Sequence, residues 1–152
     1  MRYLASLFAI LLLAASTSPL YTQKITQAVG RTHLTAPEKE KATVDSVVQF
    51  LIFAAATDFH AHGPSGPLRF REVRIGHVMT ANAEKQYRLC GQFMRTQQGV
   101  ASQWTPFATI KTSGYEQWIG DRAAAFCQDS SFVWENVDDL SSSLQSRFDT
   151  IR

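Results

Sequence analysis

The chain has 152 residues, 45% of them hydrophobic and 18% charged, with a formal net charge of +2. That length suits one domain with its own core, and a charge so near balance gives no basis for nucleic-acid binding. Its two cysteines, Cys90 and Cys127, are far apart in the chain, which excludes a CxxC redox motif.

The first element is a signal. Met1-Arg2 is followed by an apolar run from Tyr3 to Ala15 and then by Ser16-Thr17-Ser18 before Pro19, the layout of a cleavable Sec signal peptide over residues 1–16. The run is too short to cross the roughly 30 Å hydrocarbon core of a bilayer as a stable helix. Ala14 and Ser16 supply the small residues before the cut, and no cysteine lies near it for lipid attachment. The expectation is export to the periplasm or medium, with no transmembrane anchor after cleavage. Residues 17–34 are polar and without a persistent period, so they read as a flexible lead. A single compact domain is expected over 35–152.

Thr35 followed by Glu38 has capping-box spacing, and Pro37 suits a first helical turn. Val44, Val47, Val48, Leu51, Ala55 and Phe59 then recur at steps of three and four, which predicts an amphipathic core helix. Ile52, Phe53 and Ala56 widen its apolar face. The helix is expected to end before His62-Gly63-Pro64-Ser65-Gly66-Pro67. From Leu68 the pattern turns extended: Phe70, Val73, Ile75 and Val78 change parity after Phe70, which predicts a bulge. Tyr87, Leu89 and Phe93 alternate in a second strand, Trp104, Ala108 and Ile110 suggest a third, and Tyr115 to Ile119 a short fourth after the turn at Ser113-Gly114. Asp121 is expected to cap a short helix ending at Cys127. A last helix from about Asp138 presents the narrow face Leu140, Leu144, Phe148 and Ile151, which predicts peripheral packing. The fold class is therefore α+β: an N-terminal helix on a three- or four-stranded antiparallel sheet, with one or two short C-terminal helices.

In an oxidising compartment the even cysteine count predicts a Cys90–Cys127 disulfide, which by the chain-entropy account stabilises by roughly 4 kcal/mol. Strict alternation puts Cys90 opposite Tyr87, Leu89 and Phe93. The helix bearing Cys127 should therefore cover the sheet face away from the first helix, unless twist brings the sulfur to an edge.

Three stretches, Gly63-Pro64-Ser65-Gly66-Pro67-Leu68-Arg69-Phe70-Arg71-Glu72-Val73, Leu89-Cys90-Gly91-Gln92-Phe93 and Trp104-Thr105-Pro106-Phe107, carry a resemblance. Over about residues 44–110 the chain resembles a widespread group of uncharacterised proteobacterial exported proteins and lipoproteins. That group has a DPxSAxF(R/K)xV segment, a VCGxVN strand, a glycine-rich turn and an aromatic followed by PF. Here Pro64 has no acidic residue before it, Phe93-Met94 stands for valine-asparagine, and Gln97 to Ala101 is poor in glycine. The resemblance implies a small envelope or secreted domain and a structural role for Cys90, and it carries no catalytic residue onto this chain.

Asp58, His60 and His62 form one compact set of possible metal ligands, sharing a face only if the segment is extended, and His77 joins them only if the first strand folds back. A helix through His60 breaks the set. There is no GxSxG elbow, and Glu72 and Glu84 have no spacing that requires a common cleft. No cofactor is implied. A binding surface is the stronger idea: Arg69, Arg71 and Arg74 on one strand, with Lys85, Arg88 and Arg95 on its neighbour, form a partial basic stripe. Arg74 joins Arg69 and Arg71 only through the bulge. Trp104, Phe107, Tyr115, Trp118, Phe132 and Trp134 crowd one third of the chain, more aromatic area than a small core hides. The expected surface is Arg69, Arg71, Arg88, Arg95, Trp104, Phe107, Tyr115 and Trp118. Its expected partner is an envelope or extracellular protein, a glycan or an anionic lipid headgroup. The expected function is a non-enzymatic, envelope-associated binding or accessory protein; a secreted interaction or inhibitor module and a small periplasmic hydrolase stand as alternatives.

Overall fold

The computed structural model describes residues 35–151. The export signal expected at 1–16 and the lead expected at 17–34 lie outside the described residues. Helix α1 (Ala36–His62) starts at Thr35, whose backbone N–H and hydroxyl both donate to the Glu38 carboxylate, at 2.7 and 2.8 Å. The helix closes with the Gly63 N–H on the Phe59 carbonyl, and Pro64 prevents another turn. Its buried residues are Val44, Val48, Leu51, Ile52, Ala54, Ala55, Ala56 and Phe59. Phe53, expected to widen that face, is instead 52% exposed, because it follows the helix to the side away from the sheet. By length and composition α1 is apolar enough to cross a membrane; here it is a core helix, with Leu51, Ala55 and Ala56 fully enclosed.

Six strands follow, rather than three or four: β1 (Leu68–Met79), β2 (Lys85–Gln97), β3 (Val100–Ala101), β4 (Thr105–Lys111), β5 (Tyr115–Ile119) and β6 (Val133–Trp134). The order is β5-β4-β2-β1-β6, with β3 paired to the end of β2, and every pairing is antiparallel. The two additional strands have two residues each, too short for any periodicity to register. Between β5 and β6 lies α2 (Asp121–Cys127), and α3 (Ser141–Thr150) ends the domain. Asp121 is the first residue of α2 rather than its cap, a position Gly120 takes with φ 70°.

The expected bulge falls between Arg71 and Arg74, with Glu72 at φ 53°. It keeps Phe70 and, beyond it, Val73 and Ile75 buried on one side despite the parity change.

Two clusters sit on opposite faces of the sheet. On one, α1 and α3 cover Phe70, Val73, Ile75, Tyr87, Leu89, Phe93 and Phe107. Phe59 is its hub, with edge-to-face contacts to Phe70, Phe93 and Phe107 at centroid distances of 5.1, 4.9 and 5.3 Å. The peripheral packing expected of the last helix is overturned: Leu144 is fully buried and Leu140 and Phe148 join the main core. A narrow apolar face suffices because α3 lies against both α1 and β1.

On the other face α2 covers Cys90, Ala108 and Ala123. The Cys90–Cys127 disulfide is formed, with Cα atoms 6.0 Å apart and a sequence separation of 37, and α2 occupies the face that strand alternation required.

The outer edge of β1 is only briefly paired by β6, at Gly76 and His77. Elsewhere α3 and the segment before it supply the missing partners. Gln145 accepts from the Phe70 N–H and donates to the Leu68 carbonyl, and the Ser141 hydroxyl accepts from the Val73 N–H. The N–H groups of Leu140 and Glu135 donate to the carbonyls of Val73 and Ile75.

Candidate functional site

The α2 face of the sheet is only partly covered. Register pairs Arg71 with Gln92, Arg74 with Cys90, and Gln92 with Pro106, so the bulge brings Arg71 and Arg74 to the same face. Beyond the end of α2 this face opens into a cleft of about 390 Å³. Cys90, Gly91 and Gln92 line its floor, Ala124, Cys127 and Gln128 come from α2 and its end, and Pro106, Trp134, Arg74 and Glu72 complete it.

Two guanidinium–indole stacks stand along this face. Arg71 lies 4.2 Å from the Trp104 ring centroid and Arg74 4.6 Å from that of Trp134, within the range of cation–π attraction. Phe132 meets Trp134 edge-on at 4.7 Å. Arg71 is also tied down, with Nε and Nη2 donating to Gln92 Oε1 at 3.2 and 2.8 Å. Gln92 Nε2 donates in turn to Glu72 at 3.1 Å, and Glu72 stands 3.8 Å from Arg71 Nε. The Arg74 side chain makes no hydrogen bond or ion pair among the described residues; its one specific contact there is the Trp134 stack.

The remaining expected surface residues go elsewhere. Arg88 shares the α2 face but is only 7% exposed. It lies between Phe126 and Phe132, donates to the Phe126 carbonyl at 2.7 Å and stands 3.8 Å from Asp129. Burial pushes its pKa down, partly offset by Asp129, and its Nε has no hydrogen-bond partner among the described residues. It holds the loop after α2 rather than facing solvent. Arg95 has the parity of Phe93 and lines a shallow hollow with Ser102 and Gln97 at the β2–β3 end, so it does not extend the stripe. Arg69 is exposed on the strand. Lys85 bonds Glu40 of α1 at 2.8 Å, which raises the lysine pKa and lowers that of the glutamate.

Phe107 is fully buried core. Tyr115 turns toward α1, its hydroxyl donating to Asp58 at 3.4 Å, and burial followed by the Asp58 charge raises its pKa. Trp118 packs on Phe126 beneath Arg122. The eight expected residues therefore do not form one surface; Arg71 and Trp104 remain on the open face.

No metal-competent group of three or more ligands occurs among the described residues. The helix runs through His62, so Asp58, His60 and His62 do not share an extended face; Asp58 and His62 meet as a one-turn pair at 3.3 Å. His60 instead stacks on Phe148 and contacts its carbonyl at 2.7 Å. His77 pairs with Glu135 at 2.7 Å. Glu72 is at the bulge and Glu84 in the turn beyond the far end of β1, bonded to Thr80, so they do not form an acid–base pair.

Gln92 and Trp134 are the site residues that the sequence pattern alone did not single out as a pair with the arginines. Gln92 shares the parity of Cys90, which was the available signal. Trp134 enters only through a two-residue strand. Comparison with protein-family models, with curated proteins and with solved structures finds no match to this chain.

Proposed function

We propose that this is an extracytoplasmic, non-enzymatic binding or accessory domain of the cell envelope, and that its ligand occupies the cleft on the α2 face. One observation carries the reading: the Arg74–Trp134 stack stands preorganised in the lining of an open, largely apolar cleft, and the Arg71–Trp104 stack is tied to that lining through Gln92. Stacked guanidiniums are already ordered, so binding loses less side-chain entropy there than at free arginines. Two features support the extracytoplasmic part. The disulfide fits an oxidising compartment, and the sequence opens with the export-type apolar run. The resemblance of residues 44–110 to proteobacterial exported proteins points the same way.

The test is site-specific photocrosslinking from position 128, at the cleft wall, in the native envelope. A discrete partner is expected, and it should vanish when Arg71 and Arg74 are both reversed to glutamate, while the melting temperature stays within a few degrees because exposed charges contribute little. Recovery of the same species from the charge-reversed protein would overturn the assignment of the cleft.

A further inference from the structure

We propose that the cleft takes an extended acidic peptide segment of a partner protein, with one carboxylate on Arg74 and a small apolar side chain over the Cys90–Cys127 disulfide and Pro106. This rests on the reading of the cleft as the binding site and names its ligand.

Charge selects the carboxylate. Arg71 is satisfied by Gln92 and neutralised by nearby Glu72, whereas Arg74 has its face on Trp134 and, among the described residues, no partner for its guanidinium N–H groups. Guanidinium donors lie in the plane of the group, so stacking leaves the edge free for a bidentate carboxylate. Among the described residues there is one such free cation in the cleft lining, and it calls for one anionic group rather than a run of them.

The rest of the lining selects peptide. Extended backbone exposes N–H donors and C=O acceptors in alternation; the Gln128 amide offers both kinds of group, Gln92 keeps the one N–H that Glu72 does not take, and Glu72 is a further acceptor at the rim. Between them the lining holds the disulfide-bonded Cys90 and Cys127, Pro106 and Ala124, which suits a small apolar side chain. A sugar ring would need an open aromatic face, but Trp104 and Trp134 each have a face under an arginine and Trp134 also has Phe132 against it. A lipid headgroup surface would need several free cations on a flat patch, whereas here the second arginine is paired with Glu72.

The experiment titrates the oxidised protein with three probes and reads the Trp134 indole and Gln92 side-chain amide signals by NMR. The probes are the N-acetylated, C-amidated peptide Gly-Ala-Glu-Ala-Gly alongside its Glu-to-Gln counterpart, trigalacturonate, and phosphatidylglycerol-containing vesicles. The acidic peptide should shift both signals and bind at least ~10-fold more tightly than the glutamine peptide, the scale of one charge-assisted contact. Arg74→Gln should erase that difference, whereas Arg122→Gln, outside the cleft on α2, should keep it; unchanged melting temperatures certify both folds. Shifts from trigalacturonate or vesicles without shifts from the peptide overturn the peptide assignment and leave the cleft as a binding site. If no probe shifts either signal, the peptide assignment also falls. Retention of the position-128 crosslinks by Arg74→Gln together with Arg71→Gln would then remove the cleft reading as well.

Discussion

Replacing Phe59 by alanine removes the hub of the larger core. Phe59 is 3% exposed and touches three other phenylalanine rings edge-on. Truncation of a buried phenylalanine costs about 3–5 kcal/mol, transfer and cavity terms together, and the lost aromatic pairs favour the upper half of that range. Domains of this size have total stabilities of about 5–15 kcal/mol, so roughly a fifth or more of the stability should disappear. At about 4 °C per kcal/mol the melting temperature should fall by roughly 12–20 °C. Phe53, six positions earlier on the same helix and half exposed, is the internal control: Phe53→Ala should stay within about 0.5 kcal/mol. Urea denaturation followed by circular dichroism measures both, with the slope checked for two-state behaviour. A Phe59→Ala loss below about 1 kcal/mol, or equal losses at the two positions, would refute the assignment of the core to that helix face.

Serine at Cys90 or at Cys127 should each destabilise by roughly 4 kcal/mol on the chain-entropy account, and the double substitution by little more than either single one; additive losses in thermal melts would contradict the shared bond. Gly76→Ala should destabilise clearly, because a Cβ there would come within 2.6 Å of both the Phe132 ring and the Val133 carbonyl, and a variant melting with the parent would show that the β6 segment does not lie on that glycine. The Thr35 backbone and hydroxyl bonds hold the Glu38 carboxyl below its ordinary pKa. Its contribution is therefore present above the ordinary carboxylate range and is lost as pH falls through the lowered value. Relative to the parent, Glu38→Gln should show a smaller loss of stability across that acid window; identical pH profiles would contradict a role for the capping contact.

Long periodic segments were legible in the sequence. The α1 face, the bulge at Arg71–Arg74 and the side of the sheet reached by Cys127 all follow from counting parity or helical steps, because burial on one face imposes a period. What escaped has no period of its own. The strands Val133–Trp134 and Val100–Ala101 exist through their partners, and Leu144 is buried by two elements that lie far from it in the chain. The site was half legible for the same reason. Arginines 71 and 74 were placed together by the bulge, but Arg88 has a strand position equivalent to theirs and is hidden only because α2 and Phe132 cover it. Phe107 and Trp104 are equally aromatic, but Phe107 points into the core from within β4 while Trp104, just before that strand, lies under Arg71 on the open face.

The capping of β1's outer edge by Gln145 and Ser141 has a temporal side. Those groups lie 75 and 68 positions beyond the backbone atoms they satisfy, so while the chain emerges from the N-terminal end the hairpin of β1 and β2 can pair before its guard has arrived. During that interval the row of free N–H and C=O groups from Leu68 to Val73 is a template for any other extended chain. Handover of the nascent protein to a holdase, or slow emergence of its last segment, would therefore decide how much reaches the folded state and how much joins cross-strand aggregates, independently of how stable the finished domain is.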